Sequence, residues 1–315
     1  MRVLIAADEN AWGGMIQSFR KTLPEVEFVA SAGHAAESLA GFDALIPGMC
    51  NVDARLLATA DRLKLIQQAG AGLESVDIAA AKAQNIMVAN VPSGRSGNAD
   101  SVAELGIWMM IGLARRHQEI ADCLAGQRLG QPVGMGLMGK TVGLVGLGGI
   151  GKALAKRLAP FGMRIIGVKR EADEHFARAH GLAWAGDMAQ LPRLLAESDF
   201  VALSLPDNPQ THHIIDRQAL SQMKPGGFLI NLGRGGLIEK NAFLAALEAK
   251  TLAGAGLDVF WQEPPDPQDP IFRHNLIATP HIGGVTDISL AGNVAGVCDN
   301  LRRLRDGETI ENRWA

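Results

Sequence analysis

Arg234, Glu263 and His281 each stand just past an apolar-rich run, at 228–232, 257–260 and 277–280. An arginine offers a forked donor that grips a carboxylate with two hydrogen bonds. A histidine beside a carboxylate is a proton donor poised near neutral pH. The three are far apart in sequence, so they act together only if the fold gathers them. Parallel strands of an open sheet would do so, because their carboxyl ends share one crevice. Singly, each has an ordinary reading: a structural ion pair for Arg234, a turn residue for Glu263, a polar cap for His281. As a set, they read as a carboxylate clamp with a proton donor.

Upstream lies a second chemical motif, G-x-G-x-x-G from Gly146 to Gly151, with Gly149 and Ile150 inside it. An apolar run at 141–145 precedes it and a helical pattern follows. Gly146 suits a tight turn, Gly148 a close approach of backbone to pyrophosphate, and Gly151 close packing of helix on strand. The helix N-terminus then faces the phosphates of a dinucleotide. About 20 residues further on, an acidic residue would hold the ribose diol of NAD. Here that position carries Lys169 and Arg170. Two cations pair with a 2′-phosphate, so NADP(H) is expected as the preferred cofactor, with NAD also admitted.

Other residues invite a functional reading and lose it. Gly134 to Thr141 matches the P-loop pattern, but it follows an irregular loop and opens a strand, the reverse of a working P-loop. His212–His213 lacks a third ligand at useful spacing, so no metal is expected. Cys50 reads as a buried small residue. Trp12 suits either the substrate side or simple packing.

The elements that must position these groups are short apolar runs alternating with amphipathic helices. Runs at 3–7, 27–30, 44–46, 63–67 and 86–91 form a first set. Runs at 141–145, 164–168, 200–205, 228–232, 256–259 and 276–278 form a second. They are apolar throughout rather than alternating, as strands covered on both faces are. The pattern predicts two doubly wound α/β domains with parallel sheets. Helices are expected near 99–125, 152–158, 187–197, 241–250 and from about 285 to 305. The segment 101–116 is apolar round most of its circumference, so a homodimer is expected to cover it.

The 315 residues are enough for two domains, and the formal net charge of −3 argues against a nucleic-acid or membrane-surface partner. No apolar stretch approaches the ~20 residues of a membrane span. Tyrosine is absent, which excludes a tyrosine acid, and three cysteines fit a reducing cytoplasm better than a disulfide scaffold.

Together these blocks resemble the D-isomer-specific 2-hydroxyacid dehydrogenases. The resemblance runs through Gln68–Gly72, Asn98–Glu104, Gly146–Gly151, Leu232–Gly235, Asp258–Pro264 and Pro280–Gly283. It implies a flavodoxin-like substrate domain from both chain ends, 1–98 plus 283–315, into which a Rossmann nucleotide domain, 99–282, is inserted. It implies catalytic roles for Arg234, Glu263 and His281. It extends the cofactor set to Leu205, Pro206, Thr211, Leu232, Gly233, Asp258 and Gly283.

The mechanism it implies is reduction of a small 2-oxo acid. Arg234 holds the carboxylate, helped by backbone N–H groups of Ala71 and Gly72. His281 protonates the alkoxide, and Glu263 favours its imidazolium form. Glyoxylate or hydroxypyruvate is the expected substrate type. An NAD-dependent dehydrogenase, phosphoglycerate dehydrogenase included, is the alternative within the enzymes. A nucleotide-sensing corepressor is the alternative outside them, though partner-binding tails would be expected of it and almost none is read here. Two departures stand out: Lys169 replaces the usual aspartate, and Ile46–Met49 replaces a loop that often reads Arg-Ser.

Overall fold

A computed structural model describes residues 1–171 and 174–315. The chain divides into two compact units, Met1–Asn98 with Gly284–Ala315, and Ala99–Gly283.

The first unit is built on strands β1 (Arg2–Ile5), β2 (Glu27–Ala30), β3 (Ala44–Ile46), β4 (Leu65–Gln67) and β5 (Met87–Ala89). They lie in the order β2-β1-β3-β4-β5 with every pair parallel. This is the flavodoxin-like doubly wound order. Successive side chains of β1 enter opposite cores: Val3 and Ile5 one, Leu4 the other. That is why the run is apolar throughout. Helices Met15–Thr22 and Asp287–Asp306 cover one face with Ile16, Phe19, Val294, Val297 and Leu301. Buried Asn300 donates to Gln67 Oε1 at 2.7 Å, a polar pair tying the last helix to β4.

The second unit carries β6 (Thr141–Val145), β7 (Arg164–Val168), β8 (Trp184–Gly186), β9 (Phe200–Leu203), β10 (Gly227–Asn231), β11 (Leu252–Leu257) and β12 (Leu276–Ala278). Their order is β12-β11-β10-β9-β6-β7-β8, all parallel. Renumbered from β6, the central order is that of a Rossmann sheet. The chain reverses its direction of travel between β6 and β9, which makes their shared edge the switch point.

Three elements differ from the sequence reading. Strand β8 is absent from it, because Trp184–Gly186 is a three-residue edge strand paired, among the described residues, with β7 alone. Strand β11 begins at Leu252 rather than 256, since the small residues of Leu-Ala-Gly-Ala-Gly-Leu look like a loop. They are small for packing: a Cβ on Gly256 would sit 2.9 Å from the Met109 side chain. The single helix expected over 99–125 is two, Asn98–Ala114 and His117–Ala125. Arg116 turns left-handed at φ 56°, its guanidinium held by Glu119 at 2.6 Å. The Ala114 carbonyl instead accepts from Met135 N–H at 2.7 Å.

Candidate active site

The register aligns the strand ends of the second unit in one row: Gly186, Val168, Val145, Leu203, Asn231, Leu257 and Ala278. Because every strand is parallel, all loops after this row leave from the same edge. Gly146, Lys169, Leu205, Leu232, Asp258 and Thr279 follow it by one or two residues.

The glycine loop leaves β6. Gly146 has φ +102°, a left-handed backbone that favours glycine, and donates its N–H to Val168 at 2.9 Å. A Cβ on Gly146 would lie 2.9 Å from the Ser204 carbonyl and the Leu205 side chain. A Cβ on Gly151 would overlap the Gly146 carbonyl oxygen, whereas among the described residues one on Gly148 would meet nothing within 4 Å. Gly148 caps helix Gly149–Leu158, with no side-chain cap and no acid in its first turn. Its first N–H groups thus face outward beside an open backbone, a cradle that fits a dinucleotide pyrophosphate.

Beyond β7, Lys169 N–H donates to the Gly186 carbonyl at 3.1 Å, and its ammonium lies 4.6 Å from the centre of the Phe176 ring. Arg170 lines an adjacent pocket. After β9, Thr211 Oγ1 donates to the Pro206 carbonyl at 2.7 Å and closes the loop 206–211. His212 belongs to that loop too: its Nδ1 lies 3.1 Å from Asp207 Oδ1, and its ring stacks on His213.

After β10 the chain turns sharply. Asn231 Nδ2 donates to the Arg234 carbonyl at 2.8 Å, and Asn231 Oδ1 accepts from Gly233 N–H at 3.1 Å. The Arg234 guanidinium donates through Nη1 to the Gly233 carbonyl at 2.8 Å. Next to it, a Cβ on Gly235 would overlap the backbone of Phe260, so the loops after β10 and β11 touch.

Glu263 and His281 meet in that region. His281 Nδ1 lies 2.7 Å from Glu263 Oε2, and Glu263 Oε1 accepts from Phe260 N–H at 3.0 Å. Burial pushes the Glu263 carboxyl up, but the hydrogen bond and charge of His281, the Phe260 N–H and the charge of Arg234 outweigh it. The net direction is down, so the group is ionised. An ionised carboxylate only accepts. Nδ1 therefore carries the hydrogen, and Nε2 is left as the ring atom for chemistry.

Asp258 organises the other side of His281. Its Oδ1 accepts from Thr279 Oγ1 at 2.7 Å and from Ile282 N–H at 2.8 Å, and its Oδ2 from Gly283 N–H at 2.9 Å. Burial holds its carboxyl above the usual range, against these donors and the charge of His281.

Ala71 and Gly72 lie in the first unit, past the end of β4, where the Ala71 carbonyl accepts from Asn90 Nδ2 at 2.7 Å. In the same unit Trp12, with φ 48°, packs its ring on Gly48, where a Cβ would overlap it. Cys50 is buried, and burial pushes its thiol up. Asn231, Thr279 and Phe176 were not singled out from sequence. A polar residue ending an otherwise apolar strand, as Asn231 does, was the available signal.

An α/β sheet with a glycine-rich cradle and an arginine, a carboxylate and a histidine at one edge defines a dinucleotide-dependent oxidoreductase. The profile of the D-isomer specific 2-hydroxyacid dehydrogenase, NAD binding domain, matches residues 107–283. A glyoxylate reductase of Thermococcus litoralis is 36% identical over 297 residues, 89% of this chain and 86% of that one. A D-3-phosphoglycerate dehydrogenase of Methanocaldococcus jannaschii is 34% identical over 82% of this chain, which spans only 48% of that protein's length. A crystal structure of a Thermus thermophilus protein superposes with a TM-score of 0.85 at 30% identity, covering 100% of both chains. The chain belongs to the D-isomer-specific 2-hydroxyacid dehydrogenase family, whose members are oxidoreductases using a nicotinamide cofactor. Among the described residues, no helix is long and apolar enough to cross a membrane.

Proposed function

We propose that this chain is an NADP(H)-preferring reductase of small 2-oxo acids, of the glyoxylate or hydroxypyruvate type. The observation that carries the chemistry is the 2.7 Å pair of His281 and Glu263, within electrostatic reach of Arg234. Arg234 holds the substrate carboxylate and polarises the carbonyl. A nicotinamide cofactor held at the glycine cradle of Gly146–Gly151 would supply the hydride that C2 receives. His281 gives a proton from Nε2 to the carbonyl oxygen as it gains negative charge, and Glu263 holds the ring and stabilises the imidazolium. For Ala71 and Gly72, the reading is that their backbone N–H groups help to hold the substrate. The domains follow the same reading: 1–98 plus 283–315 serves the substrate and 99–282 the dinucleotide.

The preference for NADP(H) rests on Lys169 and Arg170. Each charge-assisted contact contributes about 1.5–3 kcal/mol, and solvent screening reduces the sum to roughly ten- to a hundredfold. NAD use is the second reading, favoured by the matching of an NAD-binding profile. Turnover of glyoxylate, hydroxypyruvate, pyruvate and 3-phosphohydroxypyruvate with NADPH and with NADH tests both. A kcat/KM with NADH equal to that with NADPH removes the preference, and no reduction of any 2-oxo acid removes the reading. Lys169→Asp is expected to reverse the order.

The same proposal includes a homodimer in a reducing cytoplasm. Trp108, Ile111, Leu124, Leu129 and Val133 are exposed apolar side chains of one stretch of the second unit, and a second copy would cover them. The buried thiols of Cys50, Cys123 and Cys298 suit the compartment. Trp108→Glu should give a monomeric mass in solution; a monomer before mutation overturns the dimer.

A further inference from the structure

Three elements of the second unit converge on one aromatic ring. Phe176 stands on helix Glu174–Ala179, beyond β7. The Lys169 ammonium lies 4.6 Å from its ring centre, and the Lys152 ammonium, from helix Gly149–Leu158, lies 5.4 Å away. The His180 imidazole stacks on the ring with centroids 4.2 Å apart. His180 Nδ1 also lies 3.0 Å from the Phe176 carbonyl oxygen. The ring is therefore oriented by a neighbour tied to its own backbone. Phe176 and His180 share the lining of a 620 Å³ pocket with Arg170 and His175. Glu171 and Asp187 also line it, and Asp187 accepts from Ala189 N–H at 3.0 Å.

An aromatic face attracts a cation. A lysine otherwise spreads its ammonium over many rotamers, which dilutes the charge at any one point. Two ammonium groups repel unless something holds them. A ring that draws both to the end of β7 makes a preorganised cationic corner, next to Arg170, on the edge where the sheet carries the glycine cradle.

We propose that Phe176 is a positioning residue for cofactor choice: its ring gathers Lys169 and Lys152 into a site for the 2′-phosphate of NADP(H). The proposal rests on the NADP(H) reading above. Discrimination is then a property of four side chains, Lys152, Lys169, Arg170 and Phe176, rather than of the residue at 169 alone.

The test is calorimetric binding to the full chain at fixed salt, with 2′,5′-ADP and 5′-ADP as probes and NADPH and NADH beside them. Phe176→Leu keeps apolar bulk and removes the π face; Phe176→Tyr keeps the face. Phe176→Leu should weaken 2′,5′-ADP and NADPH by about three- to tenfold and leave 5′-ADP and NADH unchanged, while Phe176→Tyr stays near the parent. Equal weakening of all four ligands assigns Phe176 to general support of the pocket and overturns the proposal. An unchanged NADPH-to-NADH ratio in Phe176→Leu, in a parent that prefers NADPH, overturns it and leaves the cofactor reading standing. A parent that binds 2′,5′-ADP no better than 5′-ADP overturns the cofactor reading itself.

Discussion

The backbone N–H of His281 donates to the carbonyl oxygen of Asp258 at 2.9 Å. With the carboxylate of the same aspartate bound to Ile282 and Gly283, the turn carrying the imidazole is laced to the end of β11 from both sides. His281 itself sits at φ 55°, a left-handed conformation that needs such support.

Asp258→Asn should therefore weaken both fold and turnover. An amide presents one N–H₂ where the carboxylate accepts from the Gly283 N–H, leaving a buried donor facing a donor. The expected loss is about 1–3 kcal/mol in urea unfolding, with a fall in kcat. Unchanged stability would show that the turn holds without the carboxylate.

Replacing the imidazole probes the proton step directly. His281→Ala should lower turnover by about 10²–10⁴ while NADPH binding, read by calorimetry, persists. Near-parental turnover would remove His281 from the chemistry.

Glu263→Gln separates charge from shape. The amide can still accept a hydrogen bond from Nδ1, but the imidazolium loses its anion. On the proposed proton transfer from His281, kcat for reduction should fall while NADPH binding persists. The Glu263 carboxyl is held below its ordinary value, so its contribution to stability is present above that value and lost on acidification. The variant should accordingly show a flatter loss of Tm as pH falls below about 4.5.

Away from the site, Glu197 offers a sharper test of the same linkage. It accepts from Arg193 Nε at 2.7 Å and Trp184 Nε1 at 3.2 Å, and Arg164 lies 2.7 Å away. Burial raises its carboxyl, yet these three donors bring it down to about 2. The stability it contributes is complete above its ordinary 4.5 and disappears as pH falls towards 2. Glu197→Gln should cost about 0.5–1.5 kcal/mol at pH 7. Thermal melts of parent and variant should converge near pH 2. Parallel melts at every pH would contradict this.

The groups of the candidate site were legible along the chain. A glycine motif between an apolar run and a helical pattern, and a polar residue past each of three later runs, are local patterns with local physical causes. Uninterrupted apolar runs alternating with amphipathic helices likewise point to parallel sheets covered on both faces, because burial on two sides leaves no polar alternation. Strand β8 and the start of β11 were lost for the complementary reason. Their small or few residues are explained by what packs against them, Met109 beside Gly256 for example, and not by any periodicity of their own.

Only tertiary structure decided partners. Glu263 and His281 are 18 residues apart, and Gly146 and Ser204 are 58 apart, yet each pair is joined by a hydrogen bond. Nothing in their spacing determines that, because it depends on the register that brings Val145, Leu203, Asn231, Leu257 and Ala278 into one row. Phe176 is the clearest case. As a lone aromatic on a short helix it reads as core. His180 is four residues further on and its contact is local, but the company of Lys169 and Lys152 exists only because the end of β7 and helix Gly149–Leu158 reach the same corner. Composition and periodicity specify which face of an element is buried. Which side chains then meet is set by strand order and register, and those are properties of the assembled sheet.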